Sequence, residues 1–201
     1  KLKPKFLIMM KNFITIFMVL IIFFQSALFS QNQKVLLMGE CDKTSTINML
    51  NYLDRRANIS LSVDNNITLS SNNISSYPII FVCNNDYLKL NNDDASLLQN
   101  HLKQGGLLIL DNITSDYTFS IFLNKILPQS KKKSLSLDEL FIDNPFNINL
   151  DQISLELEGI FINKKLSILA IKNNSLINYW QEEDEEFFKV GSSIIFYNLT
   201  R

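Results

Sequence analysis

Histidine occurs once in this sequence and cysteine twice, and that scarcity removes whole classes of chemistry. With His101 alone, and Cys41 and Cys83 far apart, no zinc-ligand spacing can be assembled. No Ser or Cys sits in a Gly-x-Ser/Cys-x-Gly elbow, so a histidine-based hydrolase triad has no nucleophile to build on. Glycine (5) and proline (4) are also few. No Pro/Gly-rich linker divides the chain. No glycine-rich phosphate loop follows a strand either, since Gly105-Gly106 precedes one. The formal charge is −1, so there is no basic field to displace counterions, and a nucleic-acid partner is not expected. Asp93-Asp94 and "EEDEE" (182–186) lack the spacing of a dedicated calcium loop and read as solvated acidic faces. "KKK" (131–133) reads as a charge cluster in a loop. No metal and no cofactor is expected from these residues.

What the chain does have is apolar mass: 46% of its residues are hydrophobic, enough for a sizeable core. The first thirty residues stand apart. Lys1, Lys3, Lys5 and Lys11 form a basic lead, "FITIFMVLIIFF" (13–24) an uncharged apolar core, and "QSALFSQNQ" a small and polar exit. That is the layout of a secretory signal peptide. We expect a signal over 1–30 with the true start at Met9 or Met10, cut after Ser30 or Ala27, then a single domain over 31–201. The apolar core is shorter than the roughly 20 residues of a bilayer span. The expected location is therefore periplasmic or secreted. An uncut N-terminal segment would be the chain's one membrane anchor. An exported compartment permits a disulfide. Cys41 and Cys83 each follow an apolar run, as strand-end residues do. Separate buried thiols are the simpler reading, and a disulfide requires the two strand ends to be neighbours.

Hydrophobic periodicity orders the rest. "KVLLMG" (34–39), 79–83 within "ISSYPIIFVC" and "LLILD" (107–111) are short apolar runs bounded by turn residues, the mark of buried strands. "ISLSV" (59–63) alternates as a half-exposed strand does. "TSTINMLNYLDRRA" (44–57) carries helical spacing, with Thr44 or Ser45 as its cap. "NNDDASLLQNHLKQGG" (91–106) is a helix begun by Asn92 or Asp93 and ended by Gly105 in a left-handed turn. "YTFSIFLNKILP" (117–128) is a further amphipathic helix stopped by Pro128. "LEGIFINKKLSILAI" (157–171) reads as a hairpin turning near Asn163-Lys164. "EEDEEFFKVGSSIIFYNLT" (182–200) suits a helix better than a strand. Phe187, Val190, Ile194 and Tyr197 share a helical face, and a close backbone approach would explain Gly191. The order implies an α/β fold: a three-layer, flavodoxin-like domain with a mainly parallel sheet flanked by helices, plus a β-hairpin and a C-terminal helix.

In open α/β sheets chemistry sits at the C-terminal ends of the strands, which draws attention to Asp111 at the end of "LLILD". It could serve as an acid, base or ligand contact, or as the cap of the next helix or a holder of loop amides. His101 lies near the opposite edge, at a helix C-terminus where a partial positive charge is favoured, and reads as a helix-end residue.

Several segments together resemble one family. They are "LLQNHLKQGGLLILDN", "SYPIIFVCNND", "LSLDELFIDNPF", and "LEGIFINKKLSILAI" followed by Trp180 and "VGSSIIFYNLT". The family is the one designated domain of unknown function 4159, and the resemblance spans about 45–200. It implies a flavodoxin-like fold related to class I glutamine amidotransferases, in bacterial proteins that are exported or membrane-linked. Some occur beside von Willebrand A-type and MoxR-type ATPase proteins, so the resemblance implies an envelope protein partner of such a system. In true amidotransferases a Gly-x-Cys-x-Gly elbow follows the strand matching 107–111, whereas here the place reads Leu110-Asp111-Asn112-Ile113. Asn112 stands where the family usually has a second Asp, and Asn144 where it usually has His. The expectation is a non-catalytic module that binds a ligand or protein through Asp111, Asn112, Asn84, Asp86 and Asn144 in the segment 143–146. The alternatives are a hydrolase or transferase using Asp111 with Cys83, and an assembly subunit with no pocket of its own.

Overall fold

The structure is a computed structural model and describes residues 33–65, 67, 70, 73–83, 90–140 and 145–200. Four apolar runs form the centre of a sheet: β1 (Lys34–Met38), β3 (Ile79–Val82), β4 (Leu107–Ile113) and β7 (Lys165–Lys172). They pair in parallel, β1 with β3, β3 with β4 and β4 with β7. A further parallel strand, β2 (Ser62–Asn65), lies outside β1. Beyond β7 the sheet turns antiparallel, with β6 (Glu156–Ile162) and then the short edge strand β5 (Lys133–Leu135). The full order is β2-β1-β3-β4-β7-β6-β5. Counted alone, the five parallel strands run 2-1-3-4-5, the flavodoxin-like order of a doubly wound sheet.

Both faces of the central strands are buried, which is why they read as continuous apolar runs rather than as alternations. On one face, Val35, Leu37, Ile79, Phe81, Leu107 and Ile109 pack beneath α1 (Lys43–Ala57), α5 (Leu176–Gln181) and α6 (Glu185–Thr200). On the other, Leu36, Ile80, Val82, Leu108 and Leu110 pack beneath α2 (Asn92–Lys103) and α3 (Asp116–Ile126). Trp180 anchors the first layer. It is fully buried, meets Phe81 edge-on at 5.5 Å, and donates its indole N–H to the Phe187 carbonyl at 2.9 Å. Its ring lies so near Gly191 that an added Cβ there would come within 2.4 Å of it. The glycine inside α6 is thus explained by a close approach.

The C-terminal segment is helical, and the hairpin turns at Asn163 and Lys164, whose φ angles of 52° and 69° suit a two-residue turn with both centres left-handed. Local differences have local causes. Asp42, not Thr44 or Ser45, caps α1, accepting from the backbone N–H groups of both. α2 begins at Asn92, as expected, and the residue before it, Asn91, supplies the cap. β2 runs from Ser62 to Asn65, later than the alternation placed it, because its register is set by pairing to β1. Lys133 of the "KKK" cluster begins β5 instead of lying in a loop. A small helix, α4 (Leu137–Leu140), follows it. Among the described residues, no helix is long and apolar enough to cross a membrane.

Candidate functional site

The C-terminal ends of β4 and β7 form the polar mouth of the sheet. Leu110 of β4 pairs with Ala170 of β7 and Ile113 with Lys172, so β4 carries one extra residue in this interval. That is a β-bulge. Asn112 takes the left-handed conformation, φ 59°, which Asn tolerates better than most residues. The bulge resets the alternation: Asp111 points to the α1/α5/α6 face, while Ile113 joins the core on the other face. Asn112 itself is exposed.

Asp111 is only 2% exposed. Its carboxylate accepts the Ser175 hydroxyl at 2.6 Å, the Leu176 N–H at 2.8 Å and the Ile177 N–H at 3.4 Å. It therefore engages the first turn of α5, whose N-cap is Ser175. The next helix, α3, is capped by Ser115 instead. Burial pushes the Asp111 carboxyl above its ordinary value, against the Ser175 hydroxyl and the two amides, which favour its ionised form.

Lys172, at the end of β7, points to the opposite face. Its ammonium lies 2.9 Å from Asp116, 3.2 Å from Glu156 and 3.4 Å from Glu158, with its side chain 10% exposed. The Asp116 hydrogen bond, helped by Glu156 and the Glu158 charge, holds the ammonium well above its usual value despite burial. Lys132 adds a second cation 3.8 Å from Glu158. Lys172 escaped the sequence reading, although a lysine ending an apolar strand opposite alternating Glu156 and Glu158 was a legible signal. Asn173 follows it with φ 58°, exposed, and donates its N–H to the Ile113 carbonyl. Asn112 and Asn173 are thus two exposed, left-handed asparagines at the ends of paired strands.

At the neighbouring mouth, Cys41 and Cys83 form a disulfide with Cα atoms 5.1 Å apart. The simpler expectation of separate thiols is corrected: parallel pairing of β1 with β3 sets Met38 beside Val82, and Cys83, next after β3, reaches Cys41, three residues past β1 beyond the turn at Gly39. Asp42, next to Cys41, is held below the ordinary carboxylate range chiefly by the Ser45 hydroxyl, with the Ser45 and Thr44 amides and Gln181 assisting. Of the expected site residues, Asp111 and Asn112 are adjacent at this mouth. Asn84, Asp86 and Asn144 lie outside the described residues, as does the expected signal segment.

His101 is at the opposite edge, in the last turn of α2 as expected, but burial makes it a packed ring and not a cation at the helix end. It is 5% exposed, its Nε2 lacks a hydrogen-bond partner, and burial lowers its pKa to about 4. Its ring occupies the space a Cβ on Gly106 would need, within 2.0 Å. Gly105 supplies the turn at φ 98°, and Gly106 supplies room for the histidine. Elsewhere an open groove of about 520 Å³ runs beside α1, lined by Asn48, Asn51, Asp54, Arg55, Glu183 and Phe188. It contains mixed exposed charges and no convergent buried polar group. Among the described residues, no group of three or more His, Cys, Asp or Glu side chains is placed to hold a metal ion.

The strand order and its polar mouth define a doubly wound α/β protein. More particularly, the chain matches the family model described as Domain of unknown function (DUF4159) over residues 38–199, and it belongs to that family. No curated protein and no solved structure matches it.

Proposed function

We propose that this chain is an exported, amidotransferase-like module of the bacterial cell envelope that works by contact, binding a protein partner at the strand mouth. The observation that carries the reading is the state of Asp111: buried, with its carboxylate committed to the Ser175 hydroxyl and the Leu176 and Ile177 amides. Cys83 is likewise committed, to Cys41. What the mouth offers outward is Asn112, an exposed amide held in a fixed backbone conformation, with Asn173 beside it, exposed and donating its side-chain amide to Glu156 at 3.1 Å. Such groups recognise polypeptide by hydrogen bonding and leave the covalent work to others. The disulfide suits an oxidising compartment, in keeping with the basic and apolar lead of the sequence. Partners of the von Willebrand A type or the MoxR-type ATPase systems are the first to seek.

The test is co-purification from intact envelopes with the wild-type chain, Asn112→Arg and Asn173→Arg. Both variants are expected to fold, melting somewhat earlier because arginine is less at ease than asparagine in the left-handed conformation, and to lose the partner. Retention of the same partner by both would sink the reading. A second reading, a hydrolase or transferase using Asp111, draws on the raised carboxyl, since a buried acid suits proton donation. Asp111→Asn separates the two: contact survives it, whereas acid catalysis does not.

A further inference from the structure

Charge is distributed unevenly between the two ends of the parallel strands. α1, α2 and α3 each follow a parallel strand, and each carries acid at its start and base at its end. Asp42 caps α1 and Arg55 and Arg56 close it, Asp93 and Asp94 open α2 and Lys103 closes it, and Asp116 opens α3 and Lys125 closes it. Helix dipoles favour that arrangement one helix at a time, and helices that all return from the mouth add it up across the fold. At the mouth Glu40, Asp116 and Glu156 are exposed, with Lys43 opposing them. At the other edge, the segments leading into β1, β2, β3, β4 and β7 are residue 33 and residues 58–61, 73–78, 103–106 and 163–164. Among these described residues there is no Asp or Glu. Lys103, Lys164 and Lys165 gather there. Lys165 Nζ lies 3.4 Å from where a Cβ on Gly105 would sit, which brings the hairpin tip against the end of α2. Among the described residues, no carboxylate pairs with any of the three. Arg55 and Arg56 differ, since Asp54, Glu183 and Glu185 line the grooves that they line. The unopposed positive charge is therefore at the end of α2 and the hairpin tip, and no helix dipole accounts for Lys164 and Lys165.

We propose that this edge, centred on Lys103, Lys164 and Lys165, rests on an anionic phospholipid surface. Three observations choose lipid over an acidic protein. Lysines without fixed partners respond to diffuse negative charge, which a layer of headgroups presents. Phe161 is 37% exposed and pairs with Leu166, next to Lys165, so an apolar ring stands among the cations. Such a ring gains by entering the headgroup boundary. β1 also starts on this edge, since Val35 is level with Ile79 and Ile79 with Leu107. The basic and apolar lead of the sequence therefore joins the domain here. The contact is reversible and is carried by net charge, not by polar atoms in defined positions. It turns the mouth away from the lipid and leaves it free for the protein partner. The proposal rests on the reading that the chain works at the envelope, and it adds the orientation of the domain there.

The test uses the full chain with vesicles of phosphatidylglycerol and phosphatidylcholine in equal parts, against vesicles of phosphatidylcholine alone. An apolar lead partitions into both kinds, so the difference between them reads the edge. Lysines are acetylated briefly and followed by mass spectrometry, with Lys43 at the mouth as the internal reference. Lys103, Lys164 and Lys165 are expected to react about threefold more slowly, relative to Lys43, on the anionic vesicles. That protection is expected to vanish in about 0.5 M salt. Equal relative rates on the two kinds of vesicle overturn the proposal. Protection that extends to Lys43 also overturns it, because attraction is then without orientation. Soluble poly-glutamate that protects the three lysines as well as the anionic vesicles do would assign the edge to an acidic protein and refute the lipid contact. Lys164→Glu/Lys165→Glu keeps Lys103 as a reporter, and its protection is expected to be lost. Protection retained at Lys103 in this variant would count against the proposal in the same way. Cell fractionation reports separately whether the chain reaches the envelope, and Asn112→Arg reports the contact surface at the mouth. A failed edge is therefore distinct from a failure of either.

Discussion

The two edges of the parallel sheet handle polar groups in opposite ways. At the C-terminal edge, Asp111 is held by a hydroxyl and two amides, Lys172 by three carboxylates, and the cysteines by each other. At the N-terminal edge, His101 Nε2 and Asn198 Oδ1 are buried with no partner, close to a sheet start where Gly106 gives up its side-chain space. The first edge holds most of its polar atoms by satisfying them, Glu158 Oε2 being the exception, and the second leaves His101 Nε2 held by steric fit, while Asn198 donates only to the Pro78 carbonyl. A site needs polar atoms in defined positions. The difference therefore places the molecule's capacity for specific recognition at the mouth and makes the buried groups of the far edge a matter of packing.

The comparison can be broken most forcefully at the disulfide. It closes a separation of 42 residues, so Cys41→Ser/Cys83→Ser is expected to lose about 4 kcal/mol in urea melts, mainly through a freer unfolded chain. Next is Asp111→Ala, which strands the Leu176 and Ile177 amides and the Ser175 hydroxyl. A loss of about 3 kcal/mol is expected, with Asp111→Asn recovering much of it. Equal losses from Ala and Asn would show that the side-chain acceptor is not what holds α5.

The far edge is sharpened by pH. The His101 pKa falls from 6.5 to about 4 on folding. Between those values the unfolded chain takes up a proton that the folded chain refuses. The stability contributed by neutral His101 is therefore present above pH 6.5 and lost as pH falls towards 4. The loss amounts to up to about 3 kcal/mol. His101→Leu should flatten this part of the stability profile, and an unchanged slope would assign it to other groups. The smallest effect is expected at Gly106→Ala, about 2 kcal/mol of overpacking against the histidine ring. Pairing it with His101→Ala should restore part of that, because the clash is then gone.

Much of the fold was legible because its signals are local. Runs such as "LLIL" are buried on both sides and say so without context, and Pro128 and Gly105 punctuate their helices. What stayed hidden depends on contacts between distant segments. The hairpin was visible in Asn163-Lys164, but not that β7 would slot beside β4, since turn chemistry says nothing about the next neighbour. Asp111 was placed correctly at a strand mouth. Its partners lie more than sixty positions onward, in a six-residue helix too short to announce itself. The disulfide was left open for the same reason: only the register of β1 on β3 brings Cys41 to Cys83.

The extra residue at Asn112 has one further consequence. Upstream of it, every position on β4 answers to the register of the sheet; downstream, the count is shifted by one. A relative that lacks the insertion would present a different side chain at the rim while keeping an identical core. Equating positions across 111–113 by simple numbering would then pair inward residues with outward ones. A change in that one count would thus alter the rim without altering the strand beneath it.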